Sequence, residues 1–339
     1  MLIAYLLACL VLVTAVVVLV LMRLTRRVAR RAQAAIPPDG KFLEIDGERL
    51  HYVDFGHGPA VVFIHGLCGQ LRNFAYLPLD ALARTHRVIL VDRPGSGYST
   101  RSQPDDAAIA TQAGVVAQLI DRLSLDRPLV VGHSLGGAIA LALALDHPER
   151  VGALALIAPL TQPVHDVPGP FRALAIRSVW WRRCVAHTLA VPMGMLLTGR
   201  ATLAHVFAPE DPPGDFLIRG GGVLGFRPGN FEASSGDLLA AERDMPGLAA
   251  RYSALAVPVD ILYGRQDRIL DARVHGESMP SIQPRVRLSL VDGGHMLPVT
   301  QPEMTMQWLL DVAARNPSAT YYGVRNAPTV STHAANDAA

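Results

Sequence analysis

The sequence predicts an α/β protein: a mostly parallel sheet buried on both faces, with a helical segment inserted late in the chain. Three observations predict it. Short, continuous apolar runs such as Ala60–Ile64, Arg87–Val91 and Val151–Ile157 read as strands covered on both sides. Helix-like stretches alternate with these runs, as in successive strand–helix units. The alternation stops between Pro159 and Ala256 and then resumes.

The bulk numbers agree with one sizeable core. The chain has 339 residues, 50% hydrophobic and 18% charged. A formal net charge of +2 is too small for a nucleic-acid binder. Cys9, Cys68 and Cys184 are odd in number and widely spaced, so they form no disulfide framework, and no pair has metal-ligand spacing. Three free thiols fit a reducing compartment most simply.

Leu2 to Met22 carry no charge. As a helix this run is roughly 31 Å long, close to the ~30 Å hydrocarbon thickness of a bilayer. Arg23, Arg26, Arg27, Arg30 and Arg31 follow. Residues 1–22 are therefore expected to be a single-pass membrane anchor, and 23–40 a basic flank and linker, with Ala32–Gly40 as the linker proper. A cleaved signal peptide would carry its positive charge before the apolar run. A lipoprotein signal at Leu6-Leu7-Ala8-Cys9 has too few residues ahead of the cysteine. Positive flanks stay inside, which puts the body on the cytoplasmic side.

The elements follow in order. Phe42–Ile45 and Leu50–Asp54 read as a hairpin across Asp46-Gly47. The strand Ala60–Ile64 ends at His65-Gly66. A helix is expected over about Arg72–Arg84, then the strand Arg87–Val91, then a helix over Ala107–Leu123. The strand Pro128–Val131 meets Gly132, and Leu135–Asp146 reads as the next helix, followed by Val151–Ile157. A helical stretch covers Phe171–Ala190 within the insertion. The pattern ends with a strand Val257–Leu262, a helix near Asp271–Met279, a strand Arg285–Leu290 and a helix Pro302–Ala314. The core thus divides into 41–158 and 257–314, with 159–256 as a cap or lid, since an insertion of roughly 95 residues between strands suits a lid. Residues 315–339, rich in Ala, Asn, Thr and Ser, read as a disordered tail.

Gly132-His133-Ser134-Leu135-Gly136 lies between an apolar strand and an apolar helix, the context that gives a G-x-S-x-G sequence meaning. Ser134 would stand on a sharp turn at a helix N-terminus, where the dipole favours negative charge. Gly132 and Gly136 would allow the close approach of neighbouring chain.

From about Phe42 to Ala314, roughly four-fifths of the chain, the sequence resembles the α/β-hydrolase superfamily with a cap insertion. His65-Gly66, Asp92-Arg93-Pro94-Gly95-Ser96-Gly97-Tyr98-Ser99, the Ser134 turn, Gly264-Arg265-Gln266-Asp267 and Gly293-Gly294-His295 carry the resemblance, in that order. It implies an esterase- or lipase-like serine hydrolase with Ser134 as nucleophile, His295 as base and Asp267 as the orienting acid. Asp271 competes with Asp267 for the acid role. The strand before the insertion ends Ile157-Ala158-Pro159-Leu160 and offers no carboxylate. His133 is excluded as base because a sequence neighbour points away from the serine on such a turn. The backbone N–H groups of Leu67, after the motif glycine Gly66, and of Leu135 would form the oxyanion hole. Asp92 and Arg93 are expected to tie turns together, and Cys68 to be a small loop residue.

No metal or organic cofactor is implied. The expected substrate is a hydrophobic or lipid-like carboxylic ester. Trp180-Trp181-Arg182-Arg183 suits a membrane interface, but an ordinary amphipathic helix is the simpler reading. Carbon–carbon bond hydrolases, thioesterases, acyltransferases and haloperoxidases share these motifs, and a catalytically silent ligand-binding protein on the same scaffold is a further alternative. The oligomeric state is not legible.

Overall fold

A computed structural model of the chain describes residues 1–316 except 102, 104–105, 165 and 196–198. The chain opens with helix α1 (Leu2–Ala35). An eight-stranded sheet follows, with strands β1 (Lys41–Ile45), β2 (Glu48–Gly56), β3 (Ala60–Ile64), β4 (Arg87–Val91), β5 (Leu129–His133), β6 (Ala153–Ile157), β7 (Val259–Gly264) and β8 (Val286–Val291). Their order is β1-β2-β4-β3-β5-β6-β7-β8. β1 and β2 pair antiparallel, as do β2 and β4, and every other pair is parallel. The hairpin turns at Asp46-Gly47 with both residues at positive φ, the twist that suits a two-residue connection.

The remaining helices are α2 (Leu79–Ala83), α3 (Ile109–Arg122), α4 (Leu135–Asp146), α5 (Val179–His187), α6 (Ala190–Met193), α7 (Gly199–Phe207), α8 (Pro228–Ala249), α9 (Met279–Ile282), α10 (Leu297–Thr300) and α11 (Pro302–Arg315). The period-two geometry of a strand divides its residues between two cores. Val62, Ile64, Ile89, Val91 and Val130 join α3 and α4 in one core. Val61, Phe63, Val88, Leu90 and Val131 join α11 in the other. Both faces are covered, which is why these strands read as unbroken apolar runs. Helix α4 is buried from Leu135 to Ala144, so its sequence is apolar all round.

Several expectations are corrected. Helix α1 does not stop near Met22 but runs on to Ala35, and the linker shortens to Ile36–Gly40. Arginine is a good helix former and no proline occurs before Pro37. Leu21, Met22, Thr25, Val28, Ala29 and Ala32 form one covered or half-covered stripe, while Arg23, Arg26, Arg27, Arg30 and Arg31 stay exposed. The helix expected over Arg72–Arg84 is a 3-10 turn, Leu71–Phe74, and the short α2, separated by Pro78. Phe171–Ala190 is likewise broken into a 3-10 turn, Gly169–Leu174, and α5, which is capped by Ser178. The helix near Asp271–Met279 is a π-helical turn, Arg273–Glu277, followed by α9. Arg315, expected in the tail, closes α11; residues 317–339 lie outside the described residues.

Helices α5 to α8 all fall between β6 and β7. The insertion is therefore mainly helical. It meets the body through α8, which packs on α3 and α4, and meets α1 through α5, α6 and the 3-10 turn Gly222–Phe226.

Candidate active site

Ser134 joins β5 to α4 with φ 54° and ψ −120°, a left-handed conformation rare for a residue with a side chain. Neighbouring chain holds it there. Its N–H donates to Ile157 O at 3.1 Å, and its own carbonyl accepts from Gly137 and Leu160. The turn is so tight that a Cβ on Gly132 would lie 2.6 Å from Gly136 O, and one on Gly136 would lie 2.2 Å from Ile64 O. A Cβ on Gly66 would come within 2.9 Å of the Ser134 Cβ. The loop after β3 therefore lies directly against Ser134. Among the described residues, neither the Leu67 nor the Leu135 N–H donates to another protein group.

His295 follows β8 on the Gly293-Gly294 loop, and Asp267 follows β7. The two loops can touch because Gly264 lacks a side chain: a Cβ there would lie 2.4 Å from both the Gly293 and Gly294 carbonyls. His295 Nδ1–H donates to Asp267 Oδ2 at 2.7 Å, with both side chains almost fully buried. The other carboxylate oxygen, Oδ1, accepts the N–H groups of Ile269 and Leu270 at 2.8 and 3.0 Å. Asp271, the competing carboxylate, is half exposed and pairs with Arg273 instead. His133 turns its ring toward His295, not toward the serine hydroxyl: its Nε2–H donates to the His295 carbonyl at 3.0 Å. Burial, with the nearby His295 second, pushes its pKa down to about 3, so it stays neutral. The structure thus brings the His295–Asp267 pair against the strand end that carries Ser134.

Asp92 and Arg93 are structural, as the sequence suggests, but they do more than tie turns. Asp92 accepts from His51 Nδ1–H, Leu71 N–H and Tyr98 N–H. Arg93, fully buried, donates through Nε to His65 O and through Nη2 to Gly66 O. Its Nη1 donates to Asp237 Oδ2 on α8 and to Gln112 Oε1. His65 completes the loop, donating from Nδ1 to Gly66 O while its Nε2 accepts the Arg93 N–H. Burial and the Arg93 charge hold His65 well below the usual imidazole range. The role of Asp237 escapes sequence reading, because its partner is 144 residues away and no motif surrounds it.

A small cavity, about 60 Å³, opens between this loop and the insertion, lined by Cys68, Gly69, Ser96, Leu174, Gly225, Asn230, Phe231 and Ser234. None of these residues is charged. Cys68 is exposed to this space although protein surrounds it. Loss of hydration pushes its thiol up to about 11, against the pull of a hydrogen bond with Ser234, so it is no thiolate at neutral pH. Among the described residues no group of His, Cys, Asp and Glu could hold a metal ion.

With this fold and geometry, the chain belongs to the alpha/beta hydrolase fold family, whose sequence model matches residues 59–302. It is 30% identical over 227 residues to the 2-hydroxy-6-oxononadienedioate/2-hydroxy-6-oxononatrienedioate hydrolase of Burkholderia vietnamiensis, covering 66% of this chain and 76% of that one. A 121-residue segment is 40% identical to the dihydrolipoyllysine-residue acetyltransferase component of the acetoin cleaving system of Cupriavidus necator. That match spans only 32% of the longer protein and 35% of this one. Among solved structures, a membrane phospholipase A described as a bacterial virulence factor aligns with a TM-score of 0.63. It is 25% identical, and the alignment covers 93% of this chain and 99% of that one.

Proposed function

We propose that the chain is a membrane-anchored serine hydrolase that cleaves a hydrophobic carboxylic ester through an acyl-enzyme on Ser134. The observation that carries this reading is the strained Ser134 turn combined with the 2.7 Å His295–Asp267 hydrogen bond. A serine hydroxyl is a weak nucleophile near neutral pH and needs a base, which in turn needs an orienting group. With Nδ1–H donated to Asp267, His295 keeps Nε2 as the nitrogen that takes the Ser134 proton. Ser134 Oγ then bonds to the substrate carbonyl carbon. The N–H groups of Leu67 and Leu135 receive the charge that develops on the oxygen. The tetrahedral intermediate collapses, and the alcohol leaves with the proton held by His295. Water, deprotonated by His295, releases the acid and restores the serine. Neither a metal nor an organic cofactor is needed for these steps.

The uncharged cavity supports an apolar or neutral substrate. The run Leu2–Met22, fully outside the packed body over most of its length, supports an anchor, and its arginine-rich C-terminal side supports a cytoplasmic body. A second reading, hydrolysis of a 2-hydroxy-6-oxo acid, is favoured by the 30% identity to the Burkholderia enzyme. Such a dianionic substrate would seek a cation, and the cavity lining has none, so the ester reading is preferred.

The test is labelling of the full chain in mild detergent with a fluorophosphonate, beside Ser134→Ala and His295→Ala variants. The full chain is used because the last turns of α1 pack on the insertion. Labelling at Ser134 that disappears in Ser134→Ala and falls strongly in His295→Ala is expected. A folded parent that takes no label would sink the serine-hydrolase reading.

A further inference from the structure

The insertion carries large apolar side chains on its outer surface: Trp180 and Trp181 on α5, and Leu189, Met193 and Met195 at and after the α5–α6 corner, all between 44% and 62% exposed. Side chains of this size rarely gather on a surface that meets only water. Their position relative to α1 says what covers them. Thr25, fully buried, reaches from α1 to the carbonyl of Thr188, the residue that ends α5. Thr25 lies three residues past Met22, about 4.5 Å along the helix axis from the end of the apolar run. Leu21 and Met22, inside that run, are themselves partly covered. A bilayer that holds Leu2–Met22 therefore has its surface at the level of the α5–α6 corner.

We propose that this corner, with Leu189, Met193 and Met195, and the first turn of α5, with Trp180 and Trp181, seat in the surface of the same bilayer, so that the insertion is docked on the lipid instead of standing clear of it. The inference rests on the anchor reading of α1. The chemistry matches on both counts: aromatic side chains favour the interface, and Arg26, Arg27, Arg30 and Arg31 on the open face of α1 suit anionic headgroups. The Trp180 and Trp181 rings, edge-on with centroids 4.5 Å apart, present a single aromatic block. The partner is thus the headgroup–acyl boundary of a lipid bilayer.

The test uses the full chain reconstituted into phosphatidylcholine–phosphatidylglycerol vesicles. The chain has three tryptophans, and Trp308, on α11, is packed in the core, so Trp308→Phe leaves Trp180 and Trp181 as reporters. Where that variant does not fold, the difference between the parent and a Trp180→Phe/Trp181→Phe variant gives the same signal. Lipids brominated near the top of the acyl chain are expected to quench this emission at least twofold, while aqueous iodide quenches it little. Leu189→Glu/Met193→Glu is expected to abolish the lipid quenching. Quenching by iodide and not by brominated lipid would overturn the proposal. So would a blue emission insensitive to both, which would mean that a second copy of the chain covers the patch. Flotation of the vesicles at alkaline pH reads the anchor separately: a chain that fails to float refutes the anchor, whereas one that floats without lipid quenching refutes only the docking of the corner.

Discussion

Arg93 Nη1 lies 2.7 Å from Asp237 Oδ2, and neither side chain touches solvent. The same carboxylate receives Arg101 at 2.6 Å, so one buried anion balances two guanidiniums. Arg93 also grips the carbonyls of His65 and Gly66. The pair thus links helix α8 of the insertion to the loop that presents the Leu67 amide beside Ser134. Removing one partner of a buried ion pair costs about 3–5 kcal/mol, because the other is left uncompensated. Asp237→Ala is expected to lose stability on that scale in urea unfolding. Asp237→Asn keeps the shape and is expected to lose less stability, but to slow turnover roughly tenfold, or ~1.4 kcal/mol at the transition state. An Asp237→Asn enzyme with unchanged kcat would mean that the network only holds the fold.

Glycine substitutions should separate the turn from the rest of the chain. Gly136→Ala drives a methyl to 2.2 Å from the Ile64 carbonyl, backbone that cannot step aside, and should cost several kcal/mol or prevent folding. Gly66→Ala meets the Ser134 Cβ at 2.9 Å and should lose activity before it loses the fold. Gly114, in the middle of α3, has open space around its missing Cβ, so Gly114→Ala should stabilise by about 0.5–1 kcal/mol. Thermal melts and ester turnover of the three variants check this order; a destabilised Gly114→Ala would count against the packing described for α3.

Acid should weaken the fold through buried neutral imidazoles. His275 Nδ1 accepts the N–H groups of Thr161 and Gln162, and burial pushes its pKa down from 6.5 to about 4. The folded pKa lies below the unfolded one. As pH drops below about 6.5 the unfolded chain takes up a proton that the folded chain refuses until about pH 4. Stability is therefore lost across that window. His133, held at about 3, adds the same sign. Replacing His275 with Gln should make the pH dependence of unfolding shallower by about 1.4 kcal/mol per pH unit inside the window. Urea curves at pH 7 and 4.5 measure it, and parallel slopes for parent and variant would count against a neutral His275.

The parts of this structure legible in the sequence are those whose surroundings are uniform. Ala60–Ile64, Arg87–Val91 and Leu135–Asp146 are bounded to the residue, because strands and a helix buried on nearly every side carry polar residues only at their ends, where they mark the boundary. The Ser134 turn was legible for another reason: steric need fixes its glycines at set spacings. The insertion was not. Its helices α5 and α6 are short, and the helices they pack on, α1 and α8, lie tens of residues away along the chain, so no local period marks where the chain breaks between Leu174 and Ser178. The covered stripe of α1 was hidden because small residues, Thr25, Ala29 and Ala32, sit between arginines that dominate the composition. The Arg93–Asp237 pair was invisible because Asp237 stands in no motif, 144 residues from its partner, and alone looks like an ordinary surface charge.

Asp267 and Asp271 follow the same strand, and substitution should tell them apart. Asp267 Oδ2 faces His295 Nδ1–H, while Oδ1 is fixed as an acceptor by the N–H groups of Ile269 and Leu270. In Asp267→Asn the amide oxygen must take the Oδ1 position, since an NH2 group there would face two donors. The NH2 is then forced toward His295 Nδ1, which must become an acceptor, and the ring proton moves to Nε2. An imidazole protonated on Nε2 cannot accept the Ser134 proton. The fold should survive, because the shape and the two backbone hydrogen bonds remain, but kcat should fall by ~10⁴, the loss typical of a wrong tautomer in such a site. Asp271 meets Arg273 in solvent, so Asp271→Asn should change kcat by no more than about twofold. Steady-state hydrolysis of a chromogenic ester and the rate of fluorophosphonate labelling measure both variants. A larger loss in Asp271→Asn than in Asp267→Asn would reverse the assignment of the orienting acid.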